Sequence, residues 1–124
     1  IFSKLRAISQ LFFAYRKSKM YLKEFKPDIV IGFGGYVSAP VILAGRSMHI
    51  KTMIHEQNSI VGKANQLVMN KVDKIITCYT KCEEVFPGDK TILLGNPRAT
   101  IAKEAAFDEM YFKSLGLSLD KKRY

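Results

Sequence analysis

Along residues 1–26 the apolar positions Ile1, Leu5, Ile8, Phe12, Tyr15 and Leu22 recur at the wide steps of a helix that buries one stripe. The pattern predicts one long helix ending before Pro27. Beyond it the period changes. Asp28-Ile29-Val30-Ile31-Gly32-Phe33 is a nearly continuous apolar, β-branched run closed by Gly34-Gly35, as expected of a buried parallel strand. Ser38-Ala39-Pro40 then opens a helix through about Met48, with Ser38 placed to cap it and Pro40 tolerated in a first turn that needs no backbone donor. Lys51 to His55 reads as the next strand and Gly62 to about Val72 as helix. Lys74 to Cys78 reads as strand, Lys81 to Phe86 as a short helix and Thr91 to Leu94 as a last strand, with Pro87-Gly88 between that pair.

Strands alternating with helices at this spacing predict an α/β fold, a Rossmann-like parallel sheet, because short parallel strands need a crossover element between them. Ligands of such sheets collect beyond the carboxyl ends of the strands. Here those ends read Gly34-Gly35-Tyr36, His55-Glu56-Gln57-Asn58, Cys78-Tyr79-Thr80 and Gly95-Asn96-Pro97-Arg98.

The chain has 124 residues, 48% of them hydrophobic, 25% charged, with only 4 Pro and 8 Gly, which excludes disordered and low-complexity classes and suits one domain with a real core. Lys and Arg number 20 against 11 Asp and Glu, a net charge of +9 that favours an anionic partner: nucleic acid, an acidic membrane surface or a phosphorylated substrate. Cys78 and Cys82 have no companion Cys or nearby His, so neither a disulfide framework nor a zinc site is expected, and a reducing compartment fits. No apolar run approaches the ~20 residues that span a bilayer, and the start lacks a signal-peptide pattern, so the expectation is a cytosolic or peripheral protein. Starting at Ile1 and closing on Lys121-Lys122-Arg123-Tyr124, the chain reads as a segment of something longer.

Each strand end carries a functional and a plain reading. Gly34-Gly35 before Tyr36, Val37 and Ser38 allows a sharp turn with free amide donors at a helix start, suited to phosphate, or is simply a tight turn; its glycines miss the dinucleotide-binding spacing. His55-Glu56-Gln57-Asn58 sets four polar side chains in a row after an apolar strand. They either hydrogen-bond a polar ligand such as a sugar or base, with His55 or Glu56 handling a proton, or satisfy caps and strand ends. In Gly95-Asn96-Pro97-Arg98 the fixed φ of Pro97 would hold the Arg98 guanidinium for a phosphate or carboxylate, or the segment is a surface loop.

Wrapped at 3.6 residues per turn, Phe2, Phe13 and Met20 fall within about 20° of one another, away from the main stripe. Arg6, Arg16 and Lys17 flank them, and residues 1–26 hold seven Lys or Arg against one acid, Glu24. Apolar side chains among cations suit docking on an anionic lipid surface, or packing on another part of the protein.

The run Gly32-Phe33-Gly34-Gly35-Tyr36-Val37-Ser38-Ala39-Pro40, then His55-Glu56-Gln57-Asn58, Gly62, Asn65 and Gly95-Asn96-Pro97-Arg98, in this order and spacing, resembles the MurG family of bacterial peptidoglycan glycosyltransferases over about residues 27–98. The resemblance implies a GT-B fold of two Rossmann-like domains facing across a cleft. Residues 1–100 would form the latter half of the amino-terminal, acceptor- and membrane-side domain, and 101–124 the connection towards a second domain. It implies transfer of N-acetylglucosamine from UDP-N-acetylglucosamine to lipid I, the undecaprenyl-diphosphate muramyl pentapeptide, giving lipid II. The implied chemistry is inverting and needs no cofactor or built-in metal motif. Gly34, Gly35, Tyr36 and Ser38 would receive the acceptor diphosphate, and Asn58 and Arg98 would contact UDP-N-acetylglucosamine, with Gln57 a further polar site residue. The catalytic base is left open, His55 and Glu56 being the candidates. The first glycine-rich loop and the second domain's Gly-Gly-Ser motif are not in this sequence, so the segment is expected to be inactive alone. The family works at the cytoplasmic face of the cell membrane, on the anionic inner leaflet.

Two other classes compete. One is another lipid-directed GT-B transferase, such as a diacylglycerol glucosyltransferase or a split two-subunit enzyme. The other is a non-enzymatic basic module binding anions or membranes. Nucleic acid is not expected as a partner, because the aromatic residues follow the helix stripe or strand interiors rather than interleaving with the basic ones.

Overall fold

The structure, a computed structural model, describes residues 2–104 and 109–116, and of residues 2–5, 7, 8, 109, 111 and 112 the backbone only. Helix α1 runs over Phe2–Phe25. It stops where expected: Lys26 adopts φ +51°, its N–H still reaching Leu22 O at 2.9 Å, and Pro27 cannot continue the ladder. There follow β1 (Ile29–Gly32), α2 (Ser38–Ser47), β2 (Lys51–Glu56), α3 (Lys63–Val68), β3 (Lys74–Thr77) and β4 (Thr91–Leu93), then α4 (Arg98–Glu104) and α5 (Glu109–Ser114). The strands form one parallel sheet in the order β1-β2-β3-β4, with Gly32 beside Ile54 and Glu56 beside Thr77. The α/β expectation therefore holds. Of the segment read as a connection, residues 105–108 and 117–124 lie outside the described residues.

Two helices are shorter than their patterns predict. The helix expected to reach Val72 is α3, which stops at Val68; Lys71 N–H closes a turn onto Val68 O at 2.8 Å as the chain swings into β3. The segment expected as helix over Lys81–Phe86 is a 3-10 turn, Thr80–Glu84, because few residues separate β3 from Pro87.

Helices α1, α2 and α3 stack over one sheet face. Ile42 and Ala44 of α2, Ile54 of β2, Ile75 of β3 and Val68 of α3 are buried in one cluster. Helix α2 comes very close to the sheet: a Cβ on Gly45 would sit 3.1 Å from Val30 Cγ2, and one on Gly32 3.1 Å from Ile42 Cγ1. The opposite face carries Ile31, Phe33, Met53, His55, Ile76 and Leu94 around a depression of about 210 Å³.

The buried stripe of α1 is rotated from its expected phase. Ser18 and Leu22 are buried and Tyr15 is half-buried, whereas Phe12 is 55% exposed. Burial of Ser18 costs little because its hydroxyl donates to Ala14 O at 2.7 Å, within the helix itself.

At the amino-terminal end of the sheet, Asp73, just before β3, binds two elements, β2 and α2. Its carboxylate accepts from Thr52 N–H at 2.8 Å and Thr52 Oγ1 at 3.1 Å, and pairs with Arg46 of α2 at 3.2 Å. Thr52 is 1% exposed, so Asp73→Ala would leave a buried amide without its acceptor. The expected loss is about 2 kcal/mol of unfolding free energy by urea titration. A change under about 0.5 kcal/mol, the range of ordinary surface substitutions, would show that the bond network contributes nothing.

Candidate functional site

The loops after β1 and β2 meet beyond the carboxyl ends of those strands. In the first, Gly34 and Gly35 take φ +88° and +76°, the left-handed region that disfavours any residue with a Cβ. Space is not the reason for glycine: a Cβ at Gly35 would meet nothing within 4 Å, and one at Gly34 only Asn65 Nδ2 at 3.7 Å. Tyr36 and Val37 after them are exposed. Ser38 is not the cap its type suggests. Val37 takes the cap position, and Ser38, the first helical residue, donates its hydroxyl back to Gly35 O at 2.9 Å and its N–H to the same oxygen at 3.2 Å. The hydroxyl thus closes the glycine turn instead of capping α2.

The second loop is organised by Glu56. Its carboxylate, 2% exposed, accepts four hydrogen bonds: Asn58 N–H and Asn58 Nδ2 at 3.0 Å each on Oε1, Gly62 N–H and Asn65 Nδ2 at 2.9 Å each on Oε2. Burial raises the pKa of this group, but the bonds from Gly62, Asn58 and Asn65 outweigh it and hold the carboxyl below its ordinary value of 4.5. A carboxylate so occupied and so acidic is built to stay ionised and hold a loop. The geometry gives Glu56 the work of positioning this loop. Asn58 is held from a further side, since Cys82 Sγ donates to Asn58 O at 3.1 Å; its side-chain Oδ1 faces no such demand. Gln57 is exposed.

His55 points to the other side of the strand. It is 3% exposed, its Nε2 donates to Gly95 O at 3.1 Å, and its ring stands edge-on to Phe33 with centroids 5.5 Å apart. Cys78 Sγ lies 3.6 Å from the same nitrogen. The four-residue polar run is thus not one cluster: the pleat sends His55 and Glu56 to opposite faces. His55 ties down the third loop, where Gly95 takes φ +78° and Asn96 Oδ1 accepts Arg98 N–H at 2.9 Å as α4 begins. The Arg98 side chain is exposed.

The structure therefore brings Gly34, Gly35, Glu56, Asn58 and Asn65 into one neighbourhood and sets His55 behind it. Asn65 is the link that composition hides. Its amide bonds Glu56 while lying close to Gly34, and beyond its place in the family pattern the sequence signals it only as a polar residue on the inner face of a short helix. Of the basic apolar patch on α1, Phe13 and Met20 are 69% and 68% exposed, as expected. Arg6, Arg16 and Lys17 are exposed too, the Arg16 guanidinium lying 5.9 Å from the Phe12 ring centroid. The side chain of Phe2 lies outside the described residues.

Comparison with known proteins finds the glycosyltransferase family 28 N-terminal domain matching residues 1–77. Among curated relatives, the chain is 47% identical over 95 residues to the UDP-N-acetylglucosamine--N-acetylmuramyl-(pentapeptide) pyrophosphoryl-undecaprenol N-acetylglucosamine transferase of Geotalea uraniireducens (strain Rf4), covering 77% of this chain and 26% of the relative. The transferase of the same name from Bacillus subtilis (strain 168) is 40% identical over 121 residues, covering 98% of this chain and 33% of its own length. A crystal structure of MurG from Acinetobacter baumannii superposes with a TM-score of 0.64 at 32% identity, over 75% of this chain and 27% of that one. The chain spans about a quarter to a third of the relatives it matches.

The Glu56 bonds predict a pH dependence. Its folded pKa is lowered, so its contribution is complete above about pH 4.5, falls as the unfolded chain takes up the proton first, and is gone below the folded value. Glu56→Gln is expected to flatten this acid limb in urea titrations across pH, leaving the slope due to Asp73, whose pKa the Thr52 N–H chiefly lowers. At neutral pH the same variant is expected to lose about 3 kcal/mol, the cost of unpairing donors made for a carboxylate. An unchanged acid limb would refute the assignment.

Proposed function

This chain belongs to glycosyltransferase family 28, within its N-terminal domain, and on that footing we propose that it is the acceptor-side part of an inverting N-acetylglucosaminyltransferase. The donor is UDP-N-acetylglucosamine and the acceptor is lipid I, an undecaprenyl-diphosphate muramyl pentapeptide; the product is lipid II. The observation that carries this reading is the meeting of the Gly34-Gly35 turn with the Glu56-organised loop, through Asn65, in a chain with relatives of that named activity.

The parts divide the work as follows. The turn at Gly34, Gly35, Tyr36 and Ser38 receives the acceptor diphosphate, its left-handed backbone at the start of α2 suiting an anion. Asn58, fixed by Glu56 and Cys82, offers its side chain to the UDP-sugar without an ordering cost at the moment of binding. Arg98, placed by the Asn96 turn at the start of α4, supplies a forked cation to the same donor. In the transfer the muramyl 4-hydroxyl gives up its proton to a base and attacks the anomeric carbon, while UDP leaves with the bonding pair. His55 and Glu56, locked into bonds of their own, are not assigned as that base.

Docking is peripheral, on the anionic inner leaflet at the cytoplasmic face, through Phe13, Met20 and their basic neighbours on α1. None of the described helices is long and apolar enough to cross a membrane.

Two outcomes test this in the complete enzyme carrying the segment. Asn58→Ala is expected to raise KM for UDP-N-acetylglucosamine about tenfold, the worth of one good hydrogen bond, with KM for the lipid acceptor unmoved. An effect confined to the lipid acceptor would overturn the assignment. Phe13→Asp is expected to cut partition onto anionic liposomes several-fold while the melting temperature stays put, as Phe13 is exposed. Unchanged partition would show that the patch does not face lipid.

A further inference from the structure

Between α1, the Gly34-Gly35 turn, α2 and α3 lies an open groove of about 910 Å³, of whose lining the assignments above use only Tyr36 and Lys17, at its margins. Small residues make its base: Ala39, Ala64 and Ser18 are buried there and Ala14 half-buried. Leu11, Val37 and Leu67 line it while remaining exposed, at 39%, 82% and 56%. An apolar channel this open to water asks for an occupant. Its charge says what kind. The charged side chains lining it are Lys17 and Lys63, with no acid among them, and at one end it reaches Tyr36 and Val37, directly after the glycine turn.

The groove also adjoins the apolar patch on α1. At 100° per residue, Phe13 and Met20 lie about 40° and 60° around the helix from Lys17, so Lys17 borders both. A path therefore runs from the patch, past Lys17, along an apolar wall, to the turn at the head of α2. Apolar sides, two cations and no anion complement a molecule that is hydrocarbon at one end and doubly anionic at the other.

We infer that this groove holds the isoprenoid units nearest the diphosphate of a polyprenyl-diphosphate acceptor, with Lys63, at the start of α3, facing the phosphates and Lys17, its ammonium 5.7 Å from the Tyr21 ring centroid, marking the patch end. The inference rests on the acceptor class proposed above and adds to it a seat for the lipid itself. The membrane patch then docks the protein, and the groove lifts the first part of one lipid out of the bilayer towards the turn.

The test uses the complete enzyme carrying this segment, in detergent without vesicles so that membrane docking does not enter. Two acceptors are compared, the muramyl-pentapeptide diphosphate on an undecaprenyl tail and the same headgroup on a short alkyl tail. Leu67→Glu and Leu11→Glu, each at a position that is already exposed, are expected to lower kcat/KM about tenfold for the undecaprenyl acceptor, since a charge is set against hydrocarbon. They are expected to change the short-tailed acceptor by less than about twofold and to leave KM for UDP-N-acetylglucosamine unchanged. Equal loss on both acceptors, or no loss on either, overturns the inference while transfer by the unaltered enzyme keeps the proposed function intact. A lowered melting temperature with an unchanged preference between tails also overturns it, showing that protein fills the groove. If the unaltered enzyme transfers N-acetylglucosamine to neither acceptor, it is the proposed function that fails.

Discussion

A buried, ionised carboxylate at the carboxyl end of β2 is the constraint around which the candidate site is arranged. Taking Glu56 out of water is expensive, and only four donors directed at its two oxygens make that position tenable. Three of those donors come from a stretch that crosses from strand to helix with no ladder of its own, and the fourth from Asn65 in α3. Residues 57–62 have no regular secondary structure, so the carboxylate supplies the acceptors that a sheet or helix would otherwise supply. The chain pays for one awkward charge and obtains a loop of fixed shape.

The neighbouring residue does the same work on the other side. His55 holds the Gly95 loop by one hydrogen bond while Glu56 holds the Asn58 loop by four, so two adjacent residues of one strand fix two of the loops that follow the sheet. Asn65, bound to Glu56, lies beside the glycine turn after β1. The loops that would carry donor and acceptor are therefore not independent. The loops after β2 and β4 share a scaffold of short bonds anchored on β2, a central strand of the described sheet, and the glycine turn packs beside it.

Most of the fold was legible because the apolar period changes at Pro27 and again at each glycine or proline break, and the strands and long helices fall where those changes lie. The phase of α1 was not. Ser18 looks polar on paper, yet its hydroxyl is satisfied by Ala14 O, and a self-satisfied serine packs like an alanine, so the buried stripe runs through it and leaves Phe12 outside. The site was legible as a set of residues at strand ends, not as a geometry. Reading His55 and Glu56 as one polar cluster ignored the alternation of a strand. The role of Glu56 depended on donors two, six and nine residues away, a spacing no helix or strand repeats. The groove was invisible because its base is made of alanines from three separate helices, which carry no signal until the helices are packed.

The His55-Glu56 pair also bears on how β2 finds its place. A strand has a period of two, so sliding it by a single residue against β1 and β3 would turn every side chain to the opposite face. Met53 and Ile54 lie on opposite faces of β2, so in hydrocarbon contact alone that slip exchanges one apolar side chain for another. With Glu56 in the sequence it would drive a charge onto the hydrocarbon face and leave the amides of Gly62 and Asn65 with nothing to bind. The dipeptide thus acts as a proofreader during folding, adding at the far end of the strand to the penalty that the Thr52–Asp73 bonds set against the same misalignment.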